Sequence, residues 1–476
     1  MNICMVASEA LPYCKSGGLA DVVYSLSLAL KKLKHEVTIV LPYYETIKDH
    51  YPNTKKIGSF FVYMSWRKQL AEIYMREERG LTYYFIGNDF YFERPQLYGF
   101  DDDGERFAFF QLAFRKLLKF VNLKPDIIHV HDWQTGMIPT LIHEQNYDDP
   151  FFQDMRFVLT IHNPAFKGMI DRYYLRNFYD LDDSLYDMGK VRFQGMVSTL
   201  KSGIIYADKI TTVSPTHRNE LLVEESGQGL ASVLALRTRD FVGILNGIDT
   251  KEWNPKTDPL LARNYTKTTV EEGKHLCQAD VLRSFRVHWY NRPVYGIVSR
   301  LSWQKGIDLV IHGMRKMLKT GANLLILGSG EYEMEKALED LRREFPETVG
   351  IFIGFSNELA HKIYAGSDFF LMPSLFEPCG ISQMISERYG TLPIVRKTGG
   401  LADTVVGFNG TNEKIADGIV FNDYNDTGLS YALEMSEKIY NDQDLYYKLA
   451  KNGMSKDWSW KNSAEEYQKL YQELLK

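Results

Sequence analysis

Arg300 and Lys305 stand five residues apart in "SRLSWQKG", in the loop that leaves a short apolar run. A guanidinium can hold phosphate oxygens two at a time, and an ammonium adds a compact point charge. The turn at Gly306 lets both converge on one anion, although an ordinary solvated face would use the same residues. "SLFEPCGISQ" places Glu377 between another such run and a helix whose start is marked by Pro378 and Gly380. "HVHDWQTG" and "TIHNPAFKG" put Asp132 and His162 directly after two more runs. Two glycine turns complete the set. "KSGGLADVV" (15 to 23) and "KTGGLADTV" (397 to 405) agree at seven of nine positions, each follows an apolar run, and each lies beside a lysine. Gly-Gly at a helix start lets backbone N–H groups approach a ligand unobstructed, and the helix end favours negative charge, so phosphate is the natural guest. A purely structural tight turn is the competing reading of each copy.

These residues need elements that end beside one another. In the first half, "NICMVA" (2 to 7), "EVTIVLP" (36 to 42), "TYYFIG" (82 to 87), "DIIHVH" (126 to 131) and "RFVLTIH" (156 to 162) read as buried strands separated by amphipathic helices. The second half repeats the pattern with "PVYGIVS" (293 to 299), "NLLILG" (323 to 328), "VGIFIG" (349 to 354), "DFFLMP" (368 to 373) and "LPIVR" (392 to 396). Such alternation predicts an α/β protein with two Rossmann-like, doubly wound domains, and open sheets of that kind bind ligands beyond their strand ends. The 476 residues exceed one hydrophobic core. We expect domains over 1–242 and 243–455, with the turn residues of "GILNGIDTKEWNP" at the junction. The tail 456–476 carries a capping-box pattern, Ser463 with Glu466, ahead of a helix with Ala464, Tyr467, Leu470, Tyr471 and Leu474 on one face. That face packs either on its own domain or back on the first.

Bulk properties exclude several classes. A net charge of −5 without a cationic stripe gives no attraction for nucleic acid, and no apolar run is long enough to span a membrane. The start "MNICMVASEA" lacks the form of a signal peptide, which points to the cytoplasm. Cys4, Cys14, Cys277 and Cys379 have no metal or redox spacing. The acidic run in "GFDDDGERF" offers Asp101 and Asp103 as a D-x-D metal motif, but it sits in a polar loop and not at a strand end, so a solvated loop is the better reading. A dinucleotide-binding site is set aside, because the second strand ends in Leu41-Pro42-Tyr43 and not in an acid.

Taken in order, "KSGGLADVV", "HDWQTG", "TIHN", "TVSPT", "LNGID", "SRLSWQKG", "FEPCGISQ", "RKTGGLADTV" and "DWSW" resemble the bacterial and plant glycogen and starch synthases over nearly the whole chain. The resemblance implies the GT-B fold, two Rossmann-like domains facing a deep cleft, the first on the acceptor side and the second binding the nucleotide sugar. It implies transfer of glucose from ADP-glucose to the non-reducing end of an α-1,4-glucan such as glycogen, with retention at the anomeric carbon and with no metal or other cofactor. Carried over position by position, Arg300, Lys305, Glu377, Asp132 and His162 fall on catalytic positions. Lys15, Gly18, Asp21, Tyr98, Asn246, Lys274, Cys379, Gly380, Gly399 and Gly400 fall on substrate-binding ones. The chain departs from the pattern at Leu375, where the family often has Arg, and at Ser382, where Thr is common. Use of UDP-glucose by a related retaining transferase, and a non-catalytic glucan-binding protein, are the alternatives. The residues themselves do not distinguish adenine from uracil.

Overall fold

The computed structural model describes all residues, 1–476, and divides the chain into two compact units. One comprises Met1–Asn246 together with Trp460–Lys476, and the other Gly247–Ser459.

The first unit is built on a nine-stranded sheet. From one edge the order is Phe241–Gly243, Lys209–Thr212, Arg156–Ile161, Ile127–His131, Asn2–Val6, Glu36–Pro42 and Leu81–Gly87, all parallel. Arg67–Glu78 and Lys55–Met64 then extend it as antiparallel strands. The parallel strands are almost wholly buried because helices cover both faces. The two added strands are more exposed: Arg67–Glu78 mixes charged and apolar residues, and Lys55–Met64 buries only Val62 and Met64. They turn through Ser65, and then through Arg79 and Gly80, all at positive φ, as tight hairpins require. Strand order reverses beside Asn2–Val6: the chain first builds outward through Glu36–Pro42 and then returns to place Ile127–His131 on the other side.

The second unit has a six-stranded parallel sheet in the order Val349–Ile353, Asn323–Gly328, Val294–Val298, Phe369–Met372, Leu392–Arg396 and Ile419–Phe421. Its order reverses between Val294–Val298 and Phe369–Met372.

The tail forms the helix Trp460–Leu474, which packs on the helix Gly18–Lys32 and so belongs to the first unit. Tyr467, Leu470 and Tyr471 are buried in that unit's core. The capping-box reading does not hold. The helix begins three residues earlier, at Trp460, and Ser463 lies inside it with its hydroxyl donating to the Leu245 carbonyl. No helix is long and apolar enough to cross a membrane.

Candidate active site

In each unit the motif residues gather where the strand order reverses, beyond the carboxyl ends of the strands, the place where open α/β sheets bind ligands. In the first unit the chain leaves Asn2–Val6 and runs through Glu9 into the glycine turn that opens the 15-residue helix Gly18–Lys32. Gly18 is exposed, and a Cβ built there meets nothing within 4 Å, so its amide is open to approach. Lys15 reaches over the same helix start and pairs with Asp21 at 2.8 Å.

The Ser16 and Gly17 amides are already engaged. Both donate to the Glu9 carboxylate, Gly17 at 3.2 Å, and the Ser16 hydroxyl adds a bond of 3.1 Å. Glu9 therefore ties down the turn that leads into the helix. Burial pushes its carboxyl upward in pKa, against the amide bonds that pull it down. Tyr98 donates to Ser8 Oγ at 2.7 Å, which seats its ring beside this turn.

Asp132 and His162 follow the adjacent strands Ile127–His131 and Arg156–Ile161. Asp132 has φ of +56°, a backbone state that Asp tolerates better than most residues and one that collects at functional sites. Its carboxylate accepts the His162 amide at 2.7 Å and the Asn163 amide at 3.4 Å. Burial nevertheless pushes this carboxyl up to about 7 and pushes the His162 imidazole down to about 3. Asn246, where the first segment of the unit ends, is buried with its side-chain oxygen unpartnered.

In the second unit, Arg300 and Lys305 leave Val294–Val298 through a loop closed by Gly306. Gly306 has φ of +72°, and a Cβ there would lie 2.2 Å from the Pro373 carbonyl, so only glycine lets this loop sit against the end of Phe369–Met372. That contact brings Lys305 Nζ within 2.6 Å of Glu377 Oε2, and Ser374 Oγ donates to the same oxygen at 3.1 Å. Arg300 is exposed and makes no bond to another side chain. Cys379 is buried and Gly380, at φ of +70°, turns the chain into the helix Ser382–Arg388.

The second glycine turn differs from the first in what its glycines do. A Cβ at Gly399 would fall 1.9 Å from the Glu377 carbonyl, and one at Gly400 would fall 2.1 Å from that of Cys379. The Gly400 amide already donates to the Glu377 and Pro378 carbonyls. These glycines hold the Glu377 loop by close backbone packing, and the Gly400 N–H is not free for a phosphate. Lys274 is not part of the cluster either. It is 3% exposed, and its ammonium is spent on the Ala365 and Ser367 carbonyls and the Thr391 hydroxyl, at 3.0, 2.7 and 2.6 Å. In the D-x-D stretch Asp103 is paired with Arg106 and the Gly99 amide, the intervening Asp102 is paired with Arg94, and Asp101 is exposed.

Residues 2–236 match the starch synthase catalytic domain family, and residues 284–456 match glycosyl transferases group 1. The chain is 41% identical to a glycogen synthase of Geobacillus thermodenitrificans over 478 residues, covering 100% of this chain and 98% of that protein. The chain belongs to the glycogen and starch synthase family of glycosyltransferases. A glycogen synthase of Anoxybacillus flavithermus is 42% identical, again over 100% of this chain and 98% of that one. The catalytic domain of starch synthase IV from Arabidopsis thaliana, solved with ADP and acarbose bound, superposes with a TM-score of 0.91 at 33% identity, covering 99% of each chain. The GT-B fold is shared with these glycosyltransferases.

Within this glycosyltransferase, two residues beside the motif loops, Glu9 and Arg396, were not singled out by their sequence. Glu9 was legible as a lone acid in "CMVASEALPYC", just before a glycine turn. Arg396 ends the strand Leu392–Arg396 and donates to the Ser374 carbonyl at 2.8 Å and to that of Leu375, so it braces the Glu377 loop where Leu375 brings no charge. His131, at the strand end in "HVHDW" with Asp132, touches His162.

Proposed function

We propose that this glycosyltransferase moves glucose from ADP-glucose to the non-reducing end of an α-1,4-glucan, with retention at the anomeric carbon. The observation that carries the reading is the meeting of Lys305 and Glu377, with Arg300 on the same loop, where the second sheet reverses. Loss of the nucleotide leaves a diphosphate with growing negative charge and a sugar with oxocarbenium character. Fixed cations at the departing phosphate stabilise that state more than the ground state. Arg300 and Lys305 supply the charge, and Gly18 N–H with Lys15 is assigned to the same diphosphate.

Glu377, set by Ser374 and Lys305, is assigned to the hydroxyls of the donor glucose, with Cys379 and Gly380 shaping its loop. His162 is assigned to the reacting ring, and Asp132 to the acceptor. Asp21, Tyr98 and Asn246 complete the first unit's share, while Gly399 and Gly400 support Glu377 from behind. No carboxylate is assigned as a nucleophile. The acceptor hydroxyl attacks from the face the phosphate leaves, and a departing phosphate oxygen takes its proton. The first unit is read as the acceptor-side domain and the second as the nucleotide-sugar domain. Because side chains supply the cationic charge, the reading includes no metal, and undiminished turnover in excess EDTA tests that part. The four cysteines are buried and form no disulfide, in keeping with work in the reducing cytoplasm.

The deciding experiment supplies purified protein with glycogen and labelled ADP-glucose or UDP-glucose. Label is expected to enter polymer from ADP-glucose and to be released by an amylase specific for α-1,4 bonds. No incorporation from ADP-glucose overturns the proposal.

A further inference from the structure

Behind His162 lies a histidine to which the proposed reaction gives no role. His131 closes the strand Ile127–His131, is fully buried, and holds its Nδ1 3.0 Å from Nε2 of His162. Its ring stacks on His129 with centroids 4.3 Å apart. His129 is fixed at both nitrogens, by the Tyr471 hydroxyl at 2.8 Å and the Thr160 hydroxyl at 2.6 Å. Tyr471 comes from the tail helix, so that helix anchors the row of rings from behind. Burial pushes all three imidazoles below their ordinary range, His129 and His162 to about 3. Three uncharged rings result, and in the contact between His131 and His162 one nitrogen donates and the other accepts.

The far nitrogen of His131 decides which. Nε2 of His131 is buried and has no hydrogen-bond partner. A buried N–H left unpaired is among the rarest features of folded proteins, whereas an unpaired acceptor lone pair is better tolerated. The proton therefore sits on Nδ1 of His131 and is donated to Nε2 of His162. With Nε2 accepting, neutral His162 must carry its own proton on Nδ1, the nitrogen to which the fold gives no partner.

We infer that His131 is a positioning residue that locks His162 as the Nδ1–H tautomer, so that His162 meets a sugar hydroxyl as a hydrogen-bond donor. The role toward the sugar rests on the proposed function, but the tautomer does not. Without the lock, the ring would be free to present a lone pair at the same point, and the bond would reverse, with the sugar hydroxyl donating to an uncharged acceptor and no longer receiving a proton-bearing group on its oxygen.

Nitrogen-15 labelling of histidine in the full-length protein tests this directly. The His162 resonances are assigned by their disappearance in His162→Asn, and long-range proton–nitrogen correlations report which nitrogen carries hydrogen. Protonated Nδ1 and bare Nε2 on His162 are expected, and the reverse pattern overturns the inference whether or not the protein transfers glucose. In parallel, His131→Leu removes the donor and His131→Asn restores one near the position of Nδ1. The Leu variant is expected to lose roughly tenfold or more in kcat with a mixed His162 tautomer, and the Asn variant to recover most of both. A Leu variant with wild-type kcat, or with the Nδ1–H signature intact, overturns the lock. Should the Leu variant fail to fold, the wild-type spectrum decides alone.

Discussion

Lys305 and Glu377 form an ion pair of 2.6 Å in which the side chains are only 19% and 8% exposed. A pair this sheltered is screened little by solvent, and removing one partner leaves the other charged in a poor environment. In the resting protein Glu377 offsets the charge of Lys305, whereas Arg300 on the same loop stays uncompensated. The two cations are therefore inequivalent: Arg300 is ready to meet an anion, and Lys305 is aimed by the carboxylate that also faces the sugar.

Arg300→Ala and Lys305→Gln are each expected to lower kcat by about 10²–10³-fold, or about 3 to 4 kcal/mol of barrier, as for removal of one oxyanion donor. Lys305→Arg should not restore the rate, because a planar fork does not fit the place where a single ammonium meets Glu377. Steady-state kinetics against ADP-glucose measure both effects. Wild-type kcat in either charge-removed variant would refute the assignment of that residue.

Glu9 gives a second prediction. It organises the first glycine turn by taking the Ser16 and Gly17 amides, leaving Gly18 to face outward. Glu9→Ala leaves those amides to water and frees the turn. Hydrogen bonds to a charged group contribute about 1.5 to 3 kcal/mol, so kcat/KM is expected to fall roughly 10- to 100-fold. Glu9→Gln keeps an acceptor oxygen and should lie between the two. An Ala variant with unaltered kcat/KM would mean that the turn holds its shape without the carboxylate.

These residues also mark how far sequence carried the reading. Buried parallel strands are continuous apolar runs with Gly, Pro or Asp at their ends, so most strands of both parallel sheets were legible, and the catalytic loops with them, whereas Lys209–Thr212, Phe241–Gly243 and Ile419–Phe421 are too short to stand out. The hairpin Lys55–Met64 and Arg67–Glu78 was not legible either: the charges of Arg67–Glu78 break up its apolar residues, and Lys55–Met64 leaves several of its apolar residues exposed, so neither reads as a buried strand. The two glycine turns are nearly identical in letters and different in physics. One opens onto solvent, while the other lies against the carbonyls of Glu377 and Cys379, and no local pattern reveals which backbone will lie opposite a glycine. The tail helix was legible by its apolar face, but its start at Trp460 was masked by a serine and a glutamate spaced like a cap.

Lys274 shows the same limit in a charged residue, and yields a third prediction. Burial pushes its ammonium down to about 8, with a counteracting pull from Asp368, while three oxygens hold it in place. Lys274→Met leaves the Ala365 and Ser367 carbonyls without that donor, at a cost of about 1 to 3 kcal/mol in stability. Below its melting temperature the variant should keep the wild-type KM for ADP-glucose. A KM raised tenfold with unchanged stability would return Lys274 to the substrate.

The last prediction concerns pH. Burial raises the Asp132 carboxyl from 3.8 to about 7, against the His162 and Asn163 amides that favour its charged form. The folded protein therefore holds a proton between about pH 4 and pH 7 that the unfolded chain has released. For this group alone, stability is highest below pH 4 and falls as pH rises toward 7, by up to about 1.4 kcal/mol per unit. The buried histidines act in the opposite sense. With pKa values pushed down from 6.5, they withhold protons that the unfolded chain takes up, so their contribution is lost as pH falls below 6.5. The Asp132 effect is thus visible only by difference. Asp132→Asn keeps an acceptor for the two amides and removes the titration, so wild type should gain stability relative to this variant on going from pH 8 to pH 5. Urea unfolding of both proteins at the two pH values measures that gap, and an equal gap at both would show that Asp132 is ionised throughout the range.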